Sequence, residues 1–349
     1  MGKSVEALRM GGNLREIDRD VALCTPEGRL NPEAKGWSRR PLHRCNLRGP
    51  WGRAKRWDYW CVTWNGGVLS LTYADFDYLG MASALFLDRE TGRELEKVVP
   101  VPLALGFSQP DTVGGADIVF DRLGLGLSFR EESRGTRLVT RFQSRGRDVE
   151  ADVLVARPPG HETLNVVVPW SDTLFQFTSK QNTLPATGTV RVDGASQVIG
   201  PDEQAFGCLD FGRGVWPMET VWNWASASGI VGGRTVGLQF GGKWTDGTGA
   251  TENGICLDGR LHKIGEDVRF DYDRRDFRKP WRLTTPGSDR VALDFQPAHE
   301  KRTKVPLVVA GAELHLCFGR FSGEVRDDAG ERVIVDGLFG WAEEMRARW

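Results

Sequence analysis

At 349 residues, 40% of them hydrophobic, the chain can bury a sizeable core and exceeds the usual span of one compact domain. Lys plus Arg number 46 against 47 Asp plus Glu, so no global field of either sign draws it to nucleic acid or to an anionic membrane surface. No stretch approaches the roughly 20 apolar residues of a membrane-spanning helix, and no signal-like apolar run accompanies Lys3, Glu6 and Arg9; the expectation is a cytoplasmic protein without an integral membrane segment.

Residues 1–56 are rich in Pro, Gly and Arg and, apart from a short helical VEALRM, lack periodicity; they read as an irregular lead held to the body by Trp37 and Trp51. Its basic run, Arg39 to Arg56, is read as a solvated loop, because the whole chain is neutral and shows no nucleic-acid module. Alternation then begins. In WCVTW, Trp60, Val62 and Trp64 share one strand face, and Asn65-Gly66 opens a hairpin into GVLSLTYADF. The same rhythm recurs to the end of the chain, with Asp193-Gly194 and Asp258-Gly259 as further two-residue turns.

About 14 to 18 short strands without intervening helices predict an antiparallel all-β protein. A small closed barrel uses about eight strands, so two consecutive β-barrels are expected. The first would occupy 57–168 and the second 169–349, divided near Pro158 to Pro169. The ending GWAEEMRARW is predicted to form a short C-terminal helix, with Trp341 plugging a barrel and Glu343 and Glu344 on a solvated face.

Chemistry-bearing residues concentrate between Asp210 and Lys263, where Trp, amide and ionisable side chains alternate with glycines. Indoles supply large apolar faces with one N–H donor each, and glycines allow close backbone approach, so the stretch reads as the wall of a pocket. Its walls would be Trp216, Trp222, Trp224 and Trp244, with Asn223 orienting a ligand; Asp246 either lines the pocket or bonds its own turn. For acid/base work the candidates are Glu252, Asp210, Lys243 and His262, since a carboxyl held among indoles is driven toward its protonated form. The polar run Ser179 to Asn182 is read as a solvated loop or a cover for the mouth.

No nucleotide, flavin, zinc-protease or hydrolase-elbow motif occurs, the five histidines are scattered, and the six cysteines show no ligand spacing. The expectation is therefore no cofactor, no metal, and reduced, mostly buried thiols.

Several segments carry a family resemblance: GWSRRPLHRCNLRG (36–49), PWSDTLFQFTSKQNTLPATGTV (169–190), FGCLDFGRGVWP (206–217), WNWASASG (222–229), GGKWTDGTGATENG (241–254) and GLFGWAEEMRARW (337–349). With these the chain resembles the DUF2804 family over nearly its full length. More remotely it is similar in architecture to tandem lipocalin-like proteins, which include carotenoid 1,2-hydratases and fungal decalin cyclases. That second resemblance implies two calycin-like barrels, a hydrophobic small-molecule ligand and no dedicated cofactor. Three functions are consistent with these readings: a cofactor-independent hydratase, isomerase or cyclase acting on an isoprenoid- or polyketide-like molecule; a carrier for such a molecule; and a carbohydrate-active β-protein using Trp faces and paired acids.

Overall fold

The computed structural model describes residues 14–305 and 311–349. The VEALRM helix predicted at the N-terminus lies outside the described residues. Among those described, the lead contributes β1 (Val21–Ala22), a single 3-10 turn (Pro32–Ala34), β2 (Trp37–Ser38) and β3 (His43–Arg44). Trp37 is anchored by Nε1 donating to the Leu14 carbonyl at 3.1 Å, whereas Trp51, expected as a second anchor, is 70% exposed.

Two antiparallel sheets follow. The first begins with β4 (Ala54–Trp64), β5 (Gly67–Asp75), β6 (Leu79–Asp88) and β7 (Glu94–Pro102), then β8 (Ile118–Arg122), β9 (Leu125–Glu132), β10 (Gly135–Ser144) and β11 (Arg147–Ala156). It continues through β12 (Leu164–Pro169), β13 (Phe175–Val192), β14 (Ala195–Ile199) and β15 (Phe206–Val215). Its strand order is β7-β6-β5-β4-β15-β13-β11-β10-β9-β8, with β12 and β14 also paired to β13. The Glu96 N–H on β7 donates to Ser144 Oγ on β10 at 3.1 Å, so the two sides approach and the barrel is nearly closed.

The second sheet comprises β16 (Glu219–Val231), β17 (Arg234–Gly242), β18 (Asn253–Leu257), β19 (Arg260–Ile264), β20 (Arg269–Asp271) and β21 (Trp281–Thr284). It is completed by β22 (Val291–Val305), β23 (Gly311–Arg326) and β24 (Arg332–Arg348), in the order β19-β18-β17-β16-β24-β23-β22-β21-β20, a half-barrel. The chain therefore changes sheet between Val215 and Glu219, not near residue 169: β13 and β15 are central strands of the first sheet.

Turn chemistry accounts for the hairpins. Asn65-Gly66 joins β4 to β5, and Asp193 with Gly194 and Asp258 with Gly259 take the paired positive φ angles (50° and 82°, 50° and 80°) that a type I′ turn needs. The predicted C-terminal helix is instead β24, hydrogen-bonded on both sides, to β16 and β23. Glu343 to Ala347 have good helix propensity, but two complete ladders and burial of alternate side chains override it.

Each sheet has its own hydrocarbon core: Trp60, Leu71, Phe177 and Phe211 lie within the first, Phe240, Trp281, Phe295 and Phe321 within the second. A third cluster joins Cys61, Val68, Leu87 and Cys208 of the first sheet to Trp224, Leu316, Phe318 and Trp341 of the second. The outer face of one barrel thus packs on the outer face of the other. All six cysteines are buried and unbonded to one another.

Candidate functional site

Between those outer faces lies a cavity of about 240 Å³. The interiors of the barrels are occupied by their cores, so the pocket expected inside a barrel is found between the two sheets instead. Period-2 alternation explains how one face of each strand reaches it. In β13, Phe175 and Phe177 point into the first core while Thr178 and Lys180 point outward; in β15, Leu209 and Phe211 point in and Asp210 out. From the second sheet, Trp222 and Trp224 of β16 and Glu343 and Met345 of β24 line the opposite wall.

Six indoles, those of Trp57, Trp216, Trp222, Trp224, Trp244 and Trp349, border the cavity. Five of them form a continuous wall: Trp216 stacks on Trp244 with centroids 5.6 Å apart, meets Trp57 at 5.6 Å and Trp222 at 5.8 Å, and Trp222 stacks on Trp349 at 6.4 Å, while Trp224 borders the cavity against Tyr59 and Trp341. All four tryptophans singled out in the sequence border the cavity.

The ionisable groups are one ammonium and three carboxyls. Lys180 and Asp210 are direct cross-strand partners, and Lys180 Nζ lies 2.7 Å from Asp210 Oδ2 and 3.3 Å from Glu252 Oε2. The same Nζ sits 4.1 Å from the Trp224 ring centroid. Burial opposes the charge on Lys180, but Asp210 and Glu252 outweigh it and hold the ammonium above the ordinary lysine range. Thr178 Oγ1 donates to Asp210 Oδ1 at 3.2 Å.

Glu252 is 1% exposed; its Oε1 accepts from Trp244 Nε1 at 2.7 Å, and its Oε2 is met only by Lys180 Nζ at 3.3 Å. Burial, helped by Asp210 and opposed by Lys180 and the indole N–H, raises its pKa. The Oε1 atom of Glu343 accepts from Trp222 Nε1 at 2.9 Å. Burial pushes the Glu343 carboxyl up to about 7, against the Trp222 hydrogen bond and Lys180. Its neighbour Glu344 faces the other way, is held by Lys243 at 2.5 Å and by Tyr272, and is shifted down despite burial. Adjacent glutamates on one strand thus have opposite titration behaviour because alternation sends them to different surroundings.

The raised value of Glu343 has a definite sign. The folded chain retains a proton that the unfolded chain releases, so this contribution is fully present below the ordinary 4.5 and is lost as pH rises through about 7. Glu343→Gln should flatten the pH dependence of unfolding free energy across that window by on the order of 3 kcal/mol, measured by urea titration at successive pH values.

Glycine permits the close packing around Glu252. A Cβ on Gly241 would stand 2.0 Å from Glu252 Oε1 and 2.3 Å from its Cγ. Gly241→Ala should therefore displace the carboxyl from Trp244 and destabilise the fold by about 1–3 kcal/mol, seen in urea unfolding together with altered tryptophan emission. Unchanged stability and emission would show that the site has room to spare.

The other residues proposed from sequence lie elsewhere. Lys243 pairs with Glu344 and with Tyr272 OH at 2.5 Å, on the far side of β24. His262 accepts from the Asp328 N–H at 3.2 Å at a surface turn. Asp246 Oδ1 accepts from the Lys243 N–H at 2.9 Å, within its own loop, and Asn223 donates to the Glu343 carbonyl at 2.9 Å behind the wall. Sequence reasoning did not place Lys180 in the site, reading its run as a solvated loop or a cover for the mouth, and missed Glu343, read as a helix-face acid. Both sit on strands whose alternation, Gln176-Thr178-Lys180 and Trp341-Glu343-Met345, is visible in the sequence.

Among solved structures, the chain is similar to kievitone hydratase from Nectria haematococca, at 11% identity and a TM-score of 0.46, covering 85% of this chain and 89% of that one. It is also similar to CghA, at 14% identity and 0.43, over 85% and 88%, and to CghA with Sch210972, at 12% and 0.41, over 85% and 88%. No curated protein matches the sequence. The sequence profile of one family, described as a domain of unknown function, matches residues 14–349, and the chain belongs to that family, DUF2804.

Proposed function

We propose that the chain is an acid/base catalyst of hydratase, isomerase or cyclase type, acting on a hydrophobic small molecule in the cavity between the sheets. The observation that carries this reading is Glu252: a carboxyl shut away from water and driven toward its protonated form at an indole-lined cavity, with one oxygen held by Trp244 and the other met only by Lys180. Glu252 Oε2 gives its proton to an electron-rich carbon of the substrate, and the π electrons of that carbon form the new C–H bond. The indole faces stabilise the cation that results. Glu343, poised by burial near neutrality, accepts a proton when water adds to the cation or when a neighbouring carbon is deprotonated to form an isomer. Lys180, which itself borders the cavity, positions Asp210 and Glu252 by ion pairs.

The test is incubation of the full chain in heavy water with a set of small alkenes and unsaturated ketones, followed by mass spectrometry. Incorporation of deuterium or of D2O above the uncatalysed level supports the reading. Recovery of every compound unchanged, together with tight binding, would favour the carrier. The lining is mostly indole and hydrocarbon, and its carboxyls and ammonium are engaged with one another and with indole N–H groups, so it offers few hydrogen bonds to sugar hydroxyls and the carbohydrate reading gains no support from it.

A further inference from the structure

We propose that the cavity between the sheets selects a small organic cation, a tertiary or quaternary ammonium of about one ring in size, over a neutral molecule of the same shape. This deepens the catalytic reading and rests on it, because such an ammonium carries in its ground state the charge that a protonated substrate acquires.

Three independent features point to a cation. The first is the wall: six indoles and Tyr59 surround the space, and the electron-rich faces of aromatic rings attract positive charge. The second is charge: Asp210 and Lys180 neutralise each other, and Glu343 brings to the cavity a carboxyl that gains its negative charge as pH rises through about 7. The Lys180 ammonium is already engaged by Asp210 and Glu252, while Glu343 has no ion pair with Lys or Arg among the described residues. The third is that the cage already houses one dehydrated ammonium: Lys180, 7% exposed, has its Nζ 4.1 Å from the Trp224 centroid. Beyond the wall, Lys55 repeats the pattern with Nζ 5.2 Å from the Trp349 ring; the carbonyl of Gly52 accepts from it at 2.9 Å.

Glu252, fully buried, also borders the cavity, its Oε2 met only by Lys180 Nζ at 3.3 Å. Size sets the class. A dry cavity of about 150 Å³ accommodates benzene. The cavity here, about 240 Å³, leaves room for one ring bearing a branched head, and a long polyene or a large polycycle would have to protrude from it.

Trimethylphenylammonium and tert-butylbenzene are the probes, since they share a shape and differ in charge. Binding of each to the full-length chain is measured by tryptophan quenching and calorimetry. The ammonium should bind at least about tenfold more tightly, a difference of about 1.4 kcal/mol. Glu343→Gln should lower ammonium affinity severalfold and leave tert-butylbenzene unchanged, whereas a merely structural Glu343 would shift both or neither. Equal or tighter binding of tert-butylbenzene would overturn cation selection and leave the acid/base reading standing. Binding of neither probe would overturn both, since the cavity would then not be a ligand site.

Discussion

Lys180→Met should lower the unfolding free energy by about 3–5 kcal/mol at pH 8, the cost of leaving partners of a buried ion pair without their counter-charge. Methionine approximates the length of the lysine stem and keeps the apolar contact with Trp224, so the loss reports charge and not volume. The magnitude follows from burial: Lys180 is 7% exposed, Asp210 8% and Glu252 1%, and water is poorly placed to replace the ammonium. The pH dependence is the sharper signature. Without Lys180, Glu252 loses the strongest influence that lowers its pKa, so its folded value moves further above the unfolded one. Stability of the variant then falls more steeply as pH rises from the ordinary carboxyl range, and the difference from wild type is larger at pH 8 than at pH 5. Urea unfolding at the two pH values reads this directly. Lys180→Met combined with Asp210→Asn should recover part of the loss, because the orphaned charge has been removed as well. A uniform loss at both pH values, with no recovery in the double variant, would mean that Lys180 matters through packing alone.

Glu252→Gln should abolish deuterium incorporation while sparing the fold. The amide keeps the shape of the carboxyl, and its oxygen still accepts from Trp244 Nε1, but the NH2 that replaces Oε2 is far too weak an acid to protonate carbon. Removal of a positioned general acid lowers turnover by roughly 10²–10⁴-fold. Lys180 retains Asp210 at 2.7 Å, so its charge is still compensated and the variant should remain folded. The comparison is made on a compound that the wild-type chain converts, with tryptophan emission confirming an intact wall. Turnover at the wild-type level would remove Glu252 from the mechanism, and with it the assignment of the proton.

How much of this was legible beforehand depends on which contacts are local. Asp193-Gly194 and Asp258-Gly259 announce their hairpins because positive φ is a property of the residues themselves; Asn65-Gly66 announces its turn too, although neither residue takes a positive φ there. Alternation announced the strands, and the density of indoles near Glu252 announced a pocket wall. The location of that wall was not legible. A polar residue such as Lys180, facing out of a barrel strand beside inward Phe177, reads as solvated; only the docking of a second sheet turns the outside of β13 into an interior. Lys180 meets Asp210 through strand pairing across 30 positions of sequence and meets Glu252 across the sheet boundary, and no spacing rule reports either contact. At the other end, Glu343 was hidden by propensity. Ala, Glu, Met and Arg favour a helix in isolation, and reading WAEEMRARW with a period of 2 instead of 3.6 requires knowing that strands wait on both sides.

The central claim is that Glu252 and Glu343, in the space between the sheets, keep their protons to higher pH than ordinary carboxyls because water is kept from them. Infrared difference spectroscopy of wild type, Glu343→Gln and Glu252→Gln between pH 5 and 9 observes the carbonyl stretch of a protonated carboxyl directly. A band that titrates near the value of about 7 expected for Glu343, and is missing from Glu343→Gln, is the predicted result. If every carboxyl of the wild-type chain titrates within the ordinary range of about 4–4.5, the chamber is wet and the account is contradicted.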